Sequence, residues 1–142
     1  MLPLAFWVAG CPLPQPKAGD VMVEAVQLRM APAGATTAAV YFTLRNTGQQ
    51  ADTLLQITSP AGAISLHATM VHSDGVVMMT PMARVAIPPK TTIEFKVGER
   101  HGMLEKFSRA LSLSDSVALT FEFARRKSIT VTVRVKAVST EE

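Results

Sequence analysis

The sequence predicts an all-β protein, an antiparallel β-sandwich or barrel built as a single domain. Five segments alternate apolar with polar residues, which is the pattern of half-buried strands. Gly, Pro, Asn and Asp residues punctuate the chain between such segments, as they do between the short strands of sandwiches and barrels. The 142 residues suffice for one domain, and 48% hydrophobic against 18% charged residues argues against disorder.

The alternating segments follow one another between Asp20 and Lys136. In each of them the apolar side chains are expected on one face of a strand and the polar ones on the other. The apolar sets are Val26, Leu28 and Met30; Val40, Phe42 and Leu44; Ile93, Phe95 and Val97; Leu119, Phe121 and Phe123; and Ile129, Val131, Val133 and Val135. Residues 103–111 have a spacing that also suits a helical turn or two, so a loop or short helix is predicted there.

The ends of the chain are expected to lie outside the domain. Residues 1–11, MLPLAFWVAGC, are apolar and resemble the end of a bacterial lipoprotein signal, with cleavage before Cys11 and lipidation on it. An ordinary cleaved leader is the alternative, and since no Lys or Arg precedes the apolar run, a start upstream of Met1 is a further one. Residues 12–19 predict a Pro-rich tether, residues 20–138 the domain and residues 139–142 a frayed tail. This organisation predicts a bacterial periplasmic or envelope protein, held to the membrane only by a lipid anchor.

Several functional classes are disfavoured by composition. The net charge is +3, but the basic residues are scattered and their only cluster is Arg125–Lys127, so nucleic-acid binding is not expected. A single cysteine excludes an internal disulfide and a thiolate pair. The sequence contains no recognisable pair of catalytic carboxylates, no nucleophile-elbow serine and no phosphate-binding loop, so we do not expect an enzyme.

Histidine and methionine are concentrated in one quarter of the chain. All three His and five of the eight Met residues lie between His67 and Met103. Thioether sulfur is a soft ligand that suits copper(I), and imidazole suits copper in general, so this set favours copper over zinc or iron. A blue-copper electron carrier would need a Cys ligand, and Cys11 lies outside the domain.

Some of these residues have simpler explanations. Methionine often fills cores, and packing competes as an explanation for Met22, Met30, and Met70 or Met78. His72 adjoins the turn sequence Ser73–Gly75 and is expected to be solvated. His101 and Met103 share strand parity, so we expect them on one face, near a loop that begins at Gly98 and at an edge of the sandwich.

Several segments resemble the periplasmic copper(I) chaperones of the PCuAC type, which supply the dinuclear copper centre of cytochrome c oxidase. The matching segments are AAVYFTLRNTG, LHAT, GVVMMTP and IPPKTTIEFKVGERHGM, and the resemblance covers most of the chain from Asp20 to Lys136. The signature of that family is a His, ten residues, a Met, twenty-one residues, then His-x-Met. The resemblance implies a cupredoxin-like antiparallel β-sandwich of the Greek-key kind.

The signature can be matched in two ways here. Met78 follows His67 with ten residues between them, whereas Met79 precedes His101 with twenty-one between them. Met79 is preferred because GVVMMTP resembles the family's GVMRMRP with Met79 on the second Met, and the turn before Gly75 can absorb one inserted residue. The resemblance therefore implies the copper(I) ligands His67, Met79, His101 and Met103, with Met78, Met70 and His72 as less favoured candidates.

The resemblance also implies a function and partners. The protein would deliver copper(I) to a receiving protein, such as cytochrome c oxidase subunit II or a thiol-type copper chaperone. Apart from the resemblance, we expect a monomer. Copper storage or tolerance without delivery is one alternative, and a metal-free β-sandwich that binds proteins is another. The sequence leaves open whether a second ion, copper(II), binds with the help of His72.

Overall fold

The computed structural model describes residues 20–30 and 36–138, and all regular structure in these ranges is β-strand. The all-β prediction is confirmed. The predicted leader with Cys11, the tether and the tail lie outside the described residues. No helix in the described ranges is long and apolar enough to cross a membrane. The ten strands are β1 Val21–Met30, β2 Ala38–Asn46, β3 Asp52–Thr58, β4 Ala63–Val71, β5 Val77–Met82, β6 Val85–Ile87, β7 Thr91–Phe95, β8 Arg100–Glu105, β9 Ser116–Phe123 and β10 Ile129–Ala137.

The strands hydrogen-bond in the order β5-β4-β8-β2-β1-β10-β9-β3-β6, and β7 pairs with β2. Strands β1 and β10 join the two halves of this order through a parallel pairing at Leu28 and Val135. The other pairings between these strands are antiparallel, as predicted. Strand β5 is therefore a terminal strand of the sheet order, next to β4.

An aromatic cluster links the two halves of the sheet order. The ring of Phe42 on β2 stacks on that of Phe95 on β7 at a centroid distance of 4.3 Å, and meets that of Phe121 on β9 edge-on at 5.1 Å. All three side chains are buried, together with Leu28, Leu44 and Leu119. Burial of large aromatic and aliphatic side chains is the main source of stability in such a core. The core therefore holds the strands in place, and with them the residues that point outward.

Strand β8 corrects the prediction for residues 103–111. Residues 100–105 form a strand between β4 and β2, so Met103 lies in a strand and the short helix does not exist. The helical spacing was only a local signal, and pairing on both sides with neighbouring strands outweighs it. The loop prediction holds after Glu105, where Lys106 has a positive φ of 52° and Ser108 donates from its backbone N–H to the Ala61 carbonyl.

Strand β2 pairs along one edge with two strands that follow each other in the chain, β7 and β8. Its first part, Ala38–Val40, pairs with β8, and its second part, Phe42–Asn46, pairs with β7. The chain turns between β7 and β8 at Gly98, whose φ of 81° is a conformation that glycine adopts without steric cost. This connection places the residues after Gly98 inside the sheet, where we had expected an edge.

Candidate metal centre

Two imidazoles form the centre of the candidate site. His67 on β4 and His101 on β8 are register partners in the antiparallel pair. Their rings are stacked, with a centroid distance of 5.7 Å and an interplanar angle of 20°. Both residues are half-buried, while the neighbouring Leu66, Gly102 and Leu104 are buried. The two imidazoles therefore lie side by side on the outward face of the sheet.

Each ring has a neighbour that fixes its orientation. The Ser65 hydroxyl lies 2.8 Å from Nε2 of His67, and the backbone carbonyl of Glu99 accepts a hydrogen bond from the ring of His101. A ring nitrogen that donates to a carbonyl leaves the other nitrogen as the acceptor that can bind a metal. Sequence reasoning missed Ser65, although its position two residues before His67 puts it on the same face of β4.

The environment of His101 favours its neutral form. Partial burial lowers the pKa of His101 below the ordinary value of 6.5; the hydrogen bond to the Glu99 carbonyl raises it, and repulsion from His67 lowers it further. The net pKa shift is downward. A neutral imidazole has the free electron pair that a metal ligand requires.

We expect the His101 ring of the metal-free protein to titrate with a midpoint below 6.5 in NMR spectra of its Cε1–H. Since the folded-state pKa lies below the unfolded one, the unfolded chain binds more protons in the intervening pH window, and the free energy of unfolding must fall as the pH drops through it. Urea denaturation at pH 7.5 and pH 5.5 measures this change. His101→Gln should make the decrease smaller; an unchanged decrease, or a midpoint at or above 6.5, would contradict the assignment.

Met103 lies on the same face as the imidazoles. It follows His101 by two residues on β8, and its register partners are Ser65 on β4 and Ala39 on β2. This places it diagonally across from His67, at a separation of roughly 7–8 Å between backbones that a long side chain can bridge. The expectation that His101 and Met103 share a face is consistent with the burial pattern, but both lie on a strand within the sheet and not at its edge.

The register separates Met79 from Met78. Met79 on β5 is the partner of Thr69, two residues after His67 on β4, so Met79 and His67 project from the same face. Met78 is the partner of Met70 and projects from the opposite face. Met79 lies diagonally across from His67, on the opposite side from Met103, and its side chain is 49% exposed. Of the two methionines, only Met79 lies on the face of the imidazoles.

The remaining candidates are not on this face. Met70 pairs with Met78, and His72 lies in the turn between β4 and β5, where it is exposed as expected. Met30 is a buried core residue, as the explanation by core packing predicts. The structure thus brings His67, His101, Met79 and Met103 to one face. In the described ranges, no group of three or more His, Cys, Asp or Glu residues is placed to hold a metal ion.

These features define a small β-sandwich with an open, outward-facing cluster of imidazole and thioether groups. The family model described as "Putative lipoprotein LpqE-like" matches residues 21–135. The chain belongs to this LpqE-like family. No curated protein matches the chain significantly.

Solved structures of PCuAC domains have the same fold. The apo PCuAC domain from PmoF1 aligns with a TM-score of 0.69 and 21% identity over 85% of this chain and 97% of that domain. The copper-bound PCuAC domain from PmoF2 aligns at 0.68 and 20% identity over 85% and 96%. The solution structure of CuI-DR1885 from Deinococcus radiodurans aligns at 0.66 and 23% identity over 89% and 84%. The predicted cupredoxin-like sandwich is confirmed.

Proposed function

We propose that this protein binds copper(I) on the outward face of β4, β5 and β8 and delivers it to another copper protein. The observation that carries the proposal is the stacked pair of His67 and His101 with a methionine on either side. Two imidazoles and thioethers form a neutral, soft ligand set that suits copper(I). In this proposal His67, His101, Met79 and Met103 hold the ion.

The exposure of the cluster favours a carrier over an enzyme or an electron carrier. Met79 is about half exposed, and both imidazoles are reached from the outer surface of the sheet. An ion held there can exchange ligands one at a time with an incoming protein. A blue-copper site instead requires a thiolate, and no Cys lies among the residues that the structure describes. We propose no enzymatic activity for the chain.

The comparisons support copper as the cargo. Among proteins of the same fold, the PCuAC domain from PmoF2 has been solved with copper bound, and DR1885 has been solved with Cu(I). The resemblance of the sequence to chaperones of the oxidase copper centre makes cytochrome c oxidase subunit II the preferred acceptor, reached directly or through a thiol-type copper chaperone. We propose that the protein acts as a monomer in the periplasm or at the bacterial envelope.

Binding can be tested with one equivalent of copper(I) added to the full chain carrying Cys11→Ser, which removes a competing thiol. We expect one ion to bind tightly, with both sulfur and nitrogen in the X-ray absorption shell, because the face offers thioethers beside two imidazoles. Met30→Leu, a change in the core, is the matched control and should leave the shell unchanged. A shell with only nitrogen and oxygen would overturn the assignment of the methionines.

Delivery is tested separately from binding. The copper(I)-loaded protein is mixed with the metal-free soluble domain of an oxidase subunit II, and samples taken over time are oxidised with ferricyanide, because the dinuclear centre absorbs visible light only after one electron has been removed from its two copper(I) ions. Appearance of that absorption faster than from a chelator of equal affinity supports delivery. Tight binding with no transfer to subunit II or to a thiol-type chaperone would instead indicate storage or tolerance.

The family description and the sequence VAGC support a lipid anchor at Cys11. We expect mass spectrometry of the membrane fraction to find a mature protein that begins with a lipidated Cys11. Cys11→Ser should move the protein to the soluble fraction or leave the leader uncleaved. A mature protein that is soluble, with Cys11 unmodified or removed, would show that the leader is an ordinary one.

A further inference from the structure

The hairpin formed by β4 and β5 carries a second group of soft donors on the face opposite the imidazoles. Met70 and Met78 are register partners, and directly opposed residues on one face have Cβ atoms roughly 4.5–5.5 Å apart. Two flexible thioethers at that separation can reach a common ion. Met70 is 53% exposed and Met78 is 51% exposed, so an incoming ion has access to both.

His72 extends this group. Its backbone N–H donates to the Val76 carbonyl at 2.9 Å, which continues the pairing of β4 with β5 by one further step in the same register. His72 follows Met70 by two residues, so it belongs to the same face and is a diagonal neighbour of Met78. One imidazole and two thioethers are therefore carried on one face at the exposed end of the hairpin.

Core packing does not account for these methionines. The packed methionine Met30 is 5% exposed, whereas Met70 and Met78 each leave about half of their surface in solvent. The hydroxyl of Thr80, on the same face of β5, lies 3.8 Å from Sδ of Met70. The sulfur of Met70 thus lies beside a polar group, in a residue that is half exposed.

We propose that Met70, His72 and Met78 form a second site for copper(I), or for another soft monovalent ion such as silver(I), on the opposite face of the hairpin. The donors are neutral and soft, as copper(I) prefers. The site binds more weakly than the imidazole pair because its exposed side chains must be ordered on binding. It shares no ligand with the first site, and Met78 and Met79 place the two sites back to back on β5.

Silver(I), a redox-inactive stand-in for copper(I), provides the test in the full chain carrying Cys11→Ser. Methyl resonances of the methionines are followed by NMR during the titration. We expect those of Met79 and Met103 to shift with the first equivalent and those of Met70 and Met78 with the second. The proposal is overturned if the methyl groups of Met70 and Met78 do not shift by the end of two equivalents.

Variants separate the two sites. Met70→Leu with Met78→Leu should eliminate the second binding event and leave the first affinity within about threefold, since a factor of three is less than 1 kcal/mol. Met82→Leu, a change on the same strand outside both sites, should retain both events. His67→Ala with His101→Ala should remove the first event and keep the second. If a second ion still binds after loss of both Met70 and Met78, this second site is overturned and the proposed function is unaffected. If the unsubstituted protein shows only the binding assigned to Met70 and Met78, the proposed function is contradicted and the second site is not.

Discussion

The double substitution His101→Ala with Met103→Leu is expected to eliminate tight copper(I) binding while the metal-free protein remains folded. It removes two of the four proposed ligands, from one strand. If each ligand contributes at least about 1.4 kcal/mol, a factor of ten, the affinity falls by at least about 100-fold. Competition with a copper(I) chelator measures the loss, again with Cys11→Ser as the background.

The same variant should lose no more than about 1 kcal/mol of unfolding free energy, the scale of substitutions near the surface. His101 and Met103 are half-buried on the outward face, while the core side is formed by Gly102 and Leu104. Leu104→Ala is the matched contrast: its side chain is fully buried, so it should cost about 2–5 kcal/mol. Large destabilisation by the double substitution with unchanged copper affinity would show that His101 and Met103 are packing residues.

Met79→Leu is expected to weaken copper(I) binding at the first site by about tenfold or more, the effect of losing one ligand worth about 1.4 kcal/mol. Met78→Leu should leave that affinity within about threefold. The reason is the register of β4 and β5, which puts Met79 on the face of His67 and Met78 on the face of Met70. Leucine is close to methionine in volume, so both variants should fold normally.

The two leucine variants are controls for each other, because both residues are exposed to nearly the same extent on one strand, at 51% for Met78 and 49% for Met79. Chelator competition with the first equivalent of copper(I) measures each affinity. Equal losses of copper(I) affinity in the two variants would mean that a single ion is bound by ligands from both faces of β5. A greater loss for Met78→Leu would place the inserted residue of the family signature elsewhere than in the turn before Gly75.

The sequence by itself determined the all-β class and the outward and inward sets of several strands. Val40, Phe42 and Leu44 are buried on β2 as their alternation predicts, and so are Phe121 and Leu119 on β9. Alternation predicts the buried face because successive side chains of a strand point to opposite faces, so residues two apart share the face that meets the core. The concentration of His and Met in one quarter of the chain also predicted a soft metal, because this prediction needs only the residue types and their positions in the sequence.

The resemblance to the chaperone family implied which four donors act together, but only the tertiary structure decided that they lie on one face of the sheet. Residues 103–111 suited a loop or a short helix locally, but pairing with β4 and β2 made residues 100–105 a strand. The pairing of His67 with His101 depends on a cross-strand register, which is held by the buried Leu66 and Leu104 on the inner face. A slip of one residue would turn either imidazole to the other face of the sheet. Sequence separation carries no information on that register, because the hydrogen bonds that set it join segments more than thirty residues apart.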